Sequence, residues 1–383
     1  MKTNRAMHFQ RRTLLIVIAI LMMPFGSGCR LTYILHATAG QFRMLNNSIP
    51  VEEALESDSL SLEYKNRLLL VARIKEFGEE ELGLKETQNY GTVNMESHQS
   101  PIFIVSASPK DRLDMITWWF PVVGKMPYLG FFDLERARAE KEKLSKEDLD
   151  VIIGRGDAYS SLGWFKDPVT LNLIKGSTVS LVETILHEMT HTTLYVKGQG
   201  EFNEGLAVLV GKVGALLFLE KNFGSSHPLA IEARKSIEDE RIFSSFLASL
   251  LEKLELLYNS PVSYDEKMIK RERYFTRSLK EFMRIKSQFQ TDCFAGFGSA
   301  RLNNAYLMSI GLYHRHFHLF GAVLKKNGNS IGETLAFLRD LSKEKGDIIE
   351  RIRNTTFVLQ GPESVGQGHW YYSGEVAPVG EYR

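Results

Sequence analysis

Cysteine is nearly absent: Cys29 and Cys293 are the only two in 383 residues. A disulfide framework is therefore excluded, and the fold has to rest on a hydrophobic core. An excess of one charge is missing too. Lys and Arg number 47 against 46 Asp and Glu, a formal net charge of +1, which leaves no basic stripe for nucleic acid and little long-range steering of charged partners. No internal repeat is visible. Long apolar runs are scarce: 13–25 is short, and 206–219 contains Lys212 and reads as too short to span a bilayer. What is present is globular, with 44% hydrophobic and 24% charged residues, enough for a large core in one elaborate domain or two.

Neither Pro nor Gly interrupts 178–197, and Val179, Leu181, Val182, Ile185 and Leu186 give that stretch a helix with one apolar side. Ser177 or Thr178 is a plausible N-terminal start and 198–200, Gly-Gln-Gly, the expected end. Within it stands His187-Glu188-Met189-Thr190-His191, the pattern H-E-x-x-H. Two histidines four residues apart project from one helix face and can hold a single zinc, with the intervening Glu188 close enough to touch a water there. An ordinary amphipathic helix with two satisfied histidines is the plainer alternative.

A catalytic zinc site needs a third protein ligand and an open position. Twelve residues separate His191 from Glu204, which stands in Phe202-Asn203-Glu204-Gly205-Leu206-Ala207 at the start of a second apolar stretch. That length suits an αα-hairpin, which would fold Glu204 back beside the histidine pair. The competing reading is a carboxylate favoured at a helix N-terminus; Glu201 is a weaker competitor for the ligand role. Glu183, one turn before His187, could orient a ligand histidine, although a solvated helix glutamate is the simpler reading. His314, His316 and His318 fall on a helix expected over 302–326, where only His314 and His318 share a face, and they read as a polar helix surface rather than a second metal site.

His187, Glu188, His191 and the downstream Asn-Glu-Gly-x-Ala resemble the gluzincin metallopeptidases. The chain is most similar to a bacterial group of zinc-dependent aminopeptidases that are lipoproteins. Further segments carry that likeness: Gly40-Gln41, Phe120-Pro121-Val122-Val123-Gly124 with Pro127-Tyr128, Ala158-Tyr159-Ser160-Ser161-Leu162-Gly163-Trp164-Phe165 with Asp167-Pro168-Val169, and Asn303-Asn304-Ala305 with Tyr313. The resemblance implies an α+β, zincin-like fold, with a small mixed sheet followed by a helix-rich C-terminal half that carries the motif helix. It implies one Zn(2+) per chain on His187, His191 and Glu204, and a peptide substrate. Glu188 would act as general base and Tyr313 as donor to the oxyanion, with His314, His316 and His318 as rivals for the second role. Tyr159 and Gly163, in an edge strand over 158–164, and Asn203 would meet the substrate. The gap from His191 to Glu204 is shorter than in the well-studied gluzincins. No Gly-x-Met-x-Asn element of the kind that reads a free amino terminus is present. Aminopeptidase therefore rests on the resemblance, and metal-dependent hydrolysis on the residues. A metal-dependent endopeptidase or amidase, and a non-catalytic lipoprotein that binds peptides or partners, are the alternatives.

Lys2, Arg5, Arg11 and Arg12 precede the apolar 13–25 segment, and Gly26-Ser27-Gly28 precedes Cys29. That order reads as a lipoprotein-type signal peptide over 1–28, with Cys29 lipidated, although Gly26 stands where an aliphatic residue is usual. The expected location is the bacterial cell envelope, lipid-anchored to a membrane and facing the periplasm or exterior. Beyond it we expect a helical segment over 29–90 and a sheet region over 91–178, with strands at 102–105, 115–123, 151–153 and 159–165 and a charged helix over 133–150. A helical catalytic region follows over 179–358, with helices at 230–258, 262–288, 302–326 and 331–345 and a strand or short helix at 348–357. A mobile tail is expected over 359–383.

Overall fold

The strands all lie before residue 171 and most of the long helices after it, because β-branched and aromatic runs give way to apolar positions spaced at helical period. The computed structural model describes residues 47–94, 102–120, 124–156 and 167–357. The expected signal peptide over 1–28, Cys29, the residues from 358 onward and the segment holding Tyr159 and Gly163 lie outside the described residues. The architecture is α+β and rich in helix.

β1 (Ser48–Pro50), β2 (Thr92–Asn94) and β8 (Val169–Thr170) make a small mixed sheet, β1–β2 antiparallel and β2–β8 parallel. Between them in sequence lie the helices α1 (Val51–Glu56) and α2 (Leu62–Glu80). A second, antiparallel sheet places β3 (Ile102–Pro109) between β6 (Leu129–Phe131) and β7 (Leu149–Gly156), with Val105 opposite Ile153 and Ala107 opposite Val151. Helix α3 (Leu134–Ser145) covers it, joining Ala137 and Leu144 to a core with Phe103, Val105 and Val151. The strand expected at 115–123 is instead a hairpin of β4 (Trp118–Phe120) and β5 (Gly124–Met126). The charged helix expected to reach 150 ends at Ser145, because Asp148, at φ 57°, turns the chain into β7. Strands of two or three residues carry no readable alternation, so β1, β2, β6 and β8 were not legible beforehand.

After α4 (Leu171–Lys175) comes α5 (Thr178–Thr193), capped by Ser177, whose hydroxyl accepts from the Ser180 N–H at 3.0 Å. Its apolar face, Val182, Ile185, Leu186 and Met189, is fully buried. α5 stops at Thr193, short of the glycines expected to end it. The hydroxyls of Thr192 and Thr193 both donate to the Met189 carbonyl at 2.8 Å, and the Leu194 N–H closes the last turn on Thr190. Gly198 takes φ 80° in the connection, and Gly200 opens the next helix instead of ending the last.

That helix, α6 (Gly200–Phe223), has 24 residues and is long and apolar enough to cross a membrane. The expectation that it is too short to do so does not hold; burial on nearly every side within the core is what accounts for its apolarity. Glycines let it approach its neighbours. A Cβ at Gly211 would stand 2.7 Å from the Glu183 carbonyl oxygen and 3.3 Å from the His187 Cβ.

α7 (Pro228–Tyr258) and α8 (Tyr264–Ile285) build a second core with Phe243, Phe246, Phe282, Phe294 and Phe297. The lobe is tied to the antiparallel sheet by a buried pair, Arg271 with Asp150 at 2.9 Å. Asn304, also buried, donates from its amide to the carbonyls of Pro109, Lys110 and Arg112 at 2.9–3.2 Å and accepts from the Tyr258 hydroxyl at 2.8 Å. The continuous helix expected at 302–326 is two: α9 (Asn304–His314) and α10 (Phe317–Lys326). The break at Arg315-His316 aims both side chains at Glu201. α11 (Ile331–Leu341) and α12 (Ile348–Phe357) complete the main core; the second of these was open between strand and helix and is helical.

Candidate metal centre

Residues 187 and 191 stand one turn apart on α5, and the hairpin into α6 returns the chain so that residue 204 faces them. Asn203 sets that hairpin. Its amide accepts from the Val196 N–H at 2.8 Å and donates to the Val196 carbonyl at 2.9 Å, satisfying both backbone groups of one loop residue. Buried and paired in this way, Asn203 shapes the connection that carries Glu204.

Three donor atoms converge. His187 Nε2 and His191 Nε2 lie 3.2 Å apart, and Glu204 Oε2 lies 3.3 Å from the first and 3.4 Å from the second. Ligands about 2.0–2.1 Å from a tetrahedral zinc stand about 3.3 Å from one another. The triangle therefore matches a tetrahedral ion, and the donor set of two imidazoles and one carboxylate leaves a fourth position for water or substrate. Among the described residues this is the one group of His, Cys, Asp and Glu atoms so arranged. Glu201, the competitor for the third position, is turned away: its Oε2 meets His316 Nε2 at 2.7 Å.

The electrostatics follow the contacts. Burial would raise the Glu204 carboxyl pKa, but the two imidazoles outweigh it and hold the group well below the usual carboxylate range. His191 moves the opposite way: burial lowers it, and Glu204, with a smaller contribution from Glu188, raises it above the usual imidazole value. Glu188 Oε2 is buried without a hydrogen-bond partner among the described residues, an uncommon and costly state for a carboxylate oxygen.

Tyr313, on α9, stacks its ring against His187 with centroids 6.2 Å apart and planes 24° apart. The Glu204 charge, with burial second, raises its phenol well above 10, so it stays a hydrogen-bond donor. Of its rivals, His314 pairs with Glu240 at 2.6 Å and His316 is buried against Glu201. The reading of these two as a polar helix surface is corrected: each is folded inward onto a carboxylate. Tyr90 was not foreseen. It is buried at φ 64°, a strained setting for a bulky residue, and burial, then Glu188, raise its phenol well above 10.

A cavity of about 590 Å3 opens on His187, Glu188 and Tyr313. Its walls include Glu183, Lys212 and Glu240, although Glu183 fits the pattern of a solvated helix glutamate and Lys212 stands out in sequence only as a charge within 206–219. A lone lysine inside an apolar helix was the available signal. Tyr159 and Gly163 lie outside the described residues.

A family model described as "Putative aminopeptidase" matches residues 32–351. No curated protein and no solved structure matches the chain.

Proposed function

This chain belongs to the putative aminopeptidase family, and on that premise we propose that it is a zinc-dependent peptidase of zincin-like fold that removes residues from the amino end of peptides. The observation that carries the reading is the triangle of His187 Nε2, His191 Nε2 and Glu204 Oε2, with sides of 3.2–3.4 Å, beside a Glu188 whose Oε2 is buried without a hydrogen-bond partner among the described residues.

One zinc, held by those three residues, supplies Lewis acidity toward water and the scissile carbonyl. Glu188 accepts the proton of the attacking water and returns it to the leaving amine, a role that an unpaired carboxylate oxygen suits because no bond has to break first. Tyr313 donates a hydrogen bond from its phenolic O–H to the oxygen that gains negative charge as the carbonyl is attacked. Asn203 keeps the hairpin closed so that Glu204 stays on the histidines. We further propose that the lipidated Cys29 anchors the enzyme to a membrane of the bacterial cell envelope, with its catalytic body facing the periplasm or exterior and a peptide as its partner.

The test is to measure bound metal and peptide turnover in the parent, in His187→Ala and in Glu188→Gln. Parent protein should hold about one zinc per chain, and His187→Ala should hold much less. Glu188→Gln should keep its zinc and lose roughly 100- to 10,000-fold in turnover. Parent-like turnover in Glu188→Gln would exclude this mechanism.

A further inference from the structure

The cavity beside His187 carries a charged wall that the chemistry above does not use. Lys212, from the apolar middle of α6, is buried there and donates to Ser236 Oγ at 2.6 Å. Its Nζ lies 3.6 Å from Glu183 Oε1 and 3.7 Å from Glu240 Oε2. Ser236 in turn donates to Glu183 Oε1 at 3.1 Å. Glu240 is wholly buried; its Oε1 meets His314 Nδ1 at 2.6 Å, while its Oε2 has no hydrogen-bond partner among the described residues.

Two carboxylates thus face one ammonium and an imidazole. Burial works to lower the Lys212 pKa, and Glu183 and Glu240 more than offset it, so the ammonium persists. Burial works to raise Glu240, and His314 and Lys212 outweigh that, so the carboxylate persists as well. A tie between α5, α6 and α7 needs one carboxylate for its lysine; a second one in the interior adds a desolvation cost that a tie does not require. The two acids also differ in access. Both line the cavity, but the Glu240 side chain is 0% exposed and the Glu183 side chain 22%. Its Oε1 takes the contacts from Ser236 and Lys212, which leaves Oε2 for a ligand. Phe243, Phe294 and Phe297 line the same cavity. Their rings suit an apolar stem, and an aromatic face attracts a cation.

We propose that Glu183, with Glu240 behind it to offset the Lys212 charge, binds a cationic group of the peptide substrate in the cavity next to the metal ligands. The inference rests on the peptidase reading and names what that site selects. Ammonium or guanidinium is the chemistry recognised; its source is either the free α-ammonium of the substrate or a Lys or Arg side chain.

Calorimetric binding to the purified full chain separates these without requiring turnover. L-leucinamide carries only the α-ammonium, N-acetyl-L-argininamide only the side-chain cation, and N-acetyl-L-leucinamide neither. At least one cationic probe should bind about ten- to a hundredfold more tightly than the neutral one, as expected for a charge-assisted contact in a partly enclosed site. Which of the two does so identifies the source. Glu183→Gln should abolish the difference, and Glu183→Asp should retain part of it. Equal affinity for all three probes in the parent, or no binding of either cation, overturns the proposal even if a Glu183 variant fails to fold. So does a folded Glu183→Gln protein that keeps the preference. Peptide turnover lost in Glu188→Gln is read separately. A cation preference without turnover would retire the peptidase reading alone, and turnover without the preference would retire this inference alone.

Discussion

Gly211→Ala adds one methyl where α6 presses hardest on α5. The new Cβ would stand 2.7 Å from the Glu183 carbonyl oxygen and 3.3 Å from the His187 Cβ. Ordinary contact begins at 3.4 Å, so α6 has to retreat by about 0.7 Å at this point, several times the ±0.2 Å within which metal–ligand distances are held. Carbonyl oxygen and helix backbone cannot rotate away as a flexible side chain would. Stability itself changes little: Ala gains about 1 kcal/mol of helix propensity over Gly, while crowding costs roughly 1–3 kcal/mol. The metal site has no such offset, because Glu204 rides on α6 and the two histidines on α5. Zinc affinity, measured by competition with a chromogenic chelator, should fall by about ten- to a hundredfold, while the metal-free melting midpoint drops by only about a few degrees. Gly321→Ala is the control. Nothing lies within 4 Å of its added Cβ, so it should leave zinc affinity at the parent value. A Gly211→Ala protein that binds zinc and turns over as the parent does would refute the argument that this close approach holds the ligand triangle.

Asn304→Ala removes donors to three carbonyls and strands the Tyr258 hydroxyl in the interior; denaturant melts should show a loss of roughly 2–4 kcal/mol. Zinc content of the folded fraction should be unchanged, since these bonds join the sheet to the helical lobe. Glu240 has a folded pKa below its ordinary 4.5, because His314 and Lys212 outweigh burial. Its contribution is therefore complete above about pH 4.5 and lost as pH falls through the folded value. Melting midpoints of the parent should decline with acid in that range, and those of Glu240→Gln less steeply; parallel declines would remove Glu240 from the account. Cys29→Ala should shift the protein from the membrane to the soluble fraction, and full retention on membranes would reject the lipid anchor.

Local patterns were legible where the interaction itself is local. His187 and His191 are separated by one helical turn, so their shared face follows from the rise and twist of any α-helix. Glu204 follows through a connection so short that little freedom remains. The end of α5 was misjudged because glycines in the connection looked like stop signals. The threonines at 192 and 193, which bond back to Met189, and the Asn203 clamp on Val196 decide it instead. The break between α9 and α10 was hidden for a related reason. No Pro or Gly marks Arg315-His316, and only the carboxylates of Glu201 and Glu255, brought from other helices, explain where those side chains go.

By itself the sequence determined the helix-rich C-terminal half, the apolar face of α5, and the pairing of two imidazoles with a carboxylate between them, because each depends on residues within a few turns of one another. Tertiary structure alone decided that Lys212 meets Glu183 and Glu240, that His314 and His316 turn inward, and that Phe243, Phe294 and Phe297 wall the cavity. Those side-chain pairs join residues from 28 (Lys212 to Glu240) to 115 positions apart. Their energies come from burial, which no single segment can report before the helices have packed.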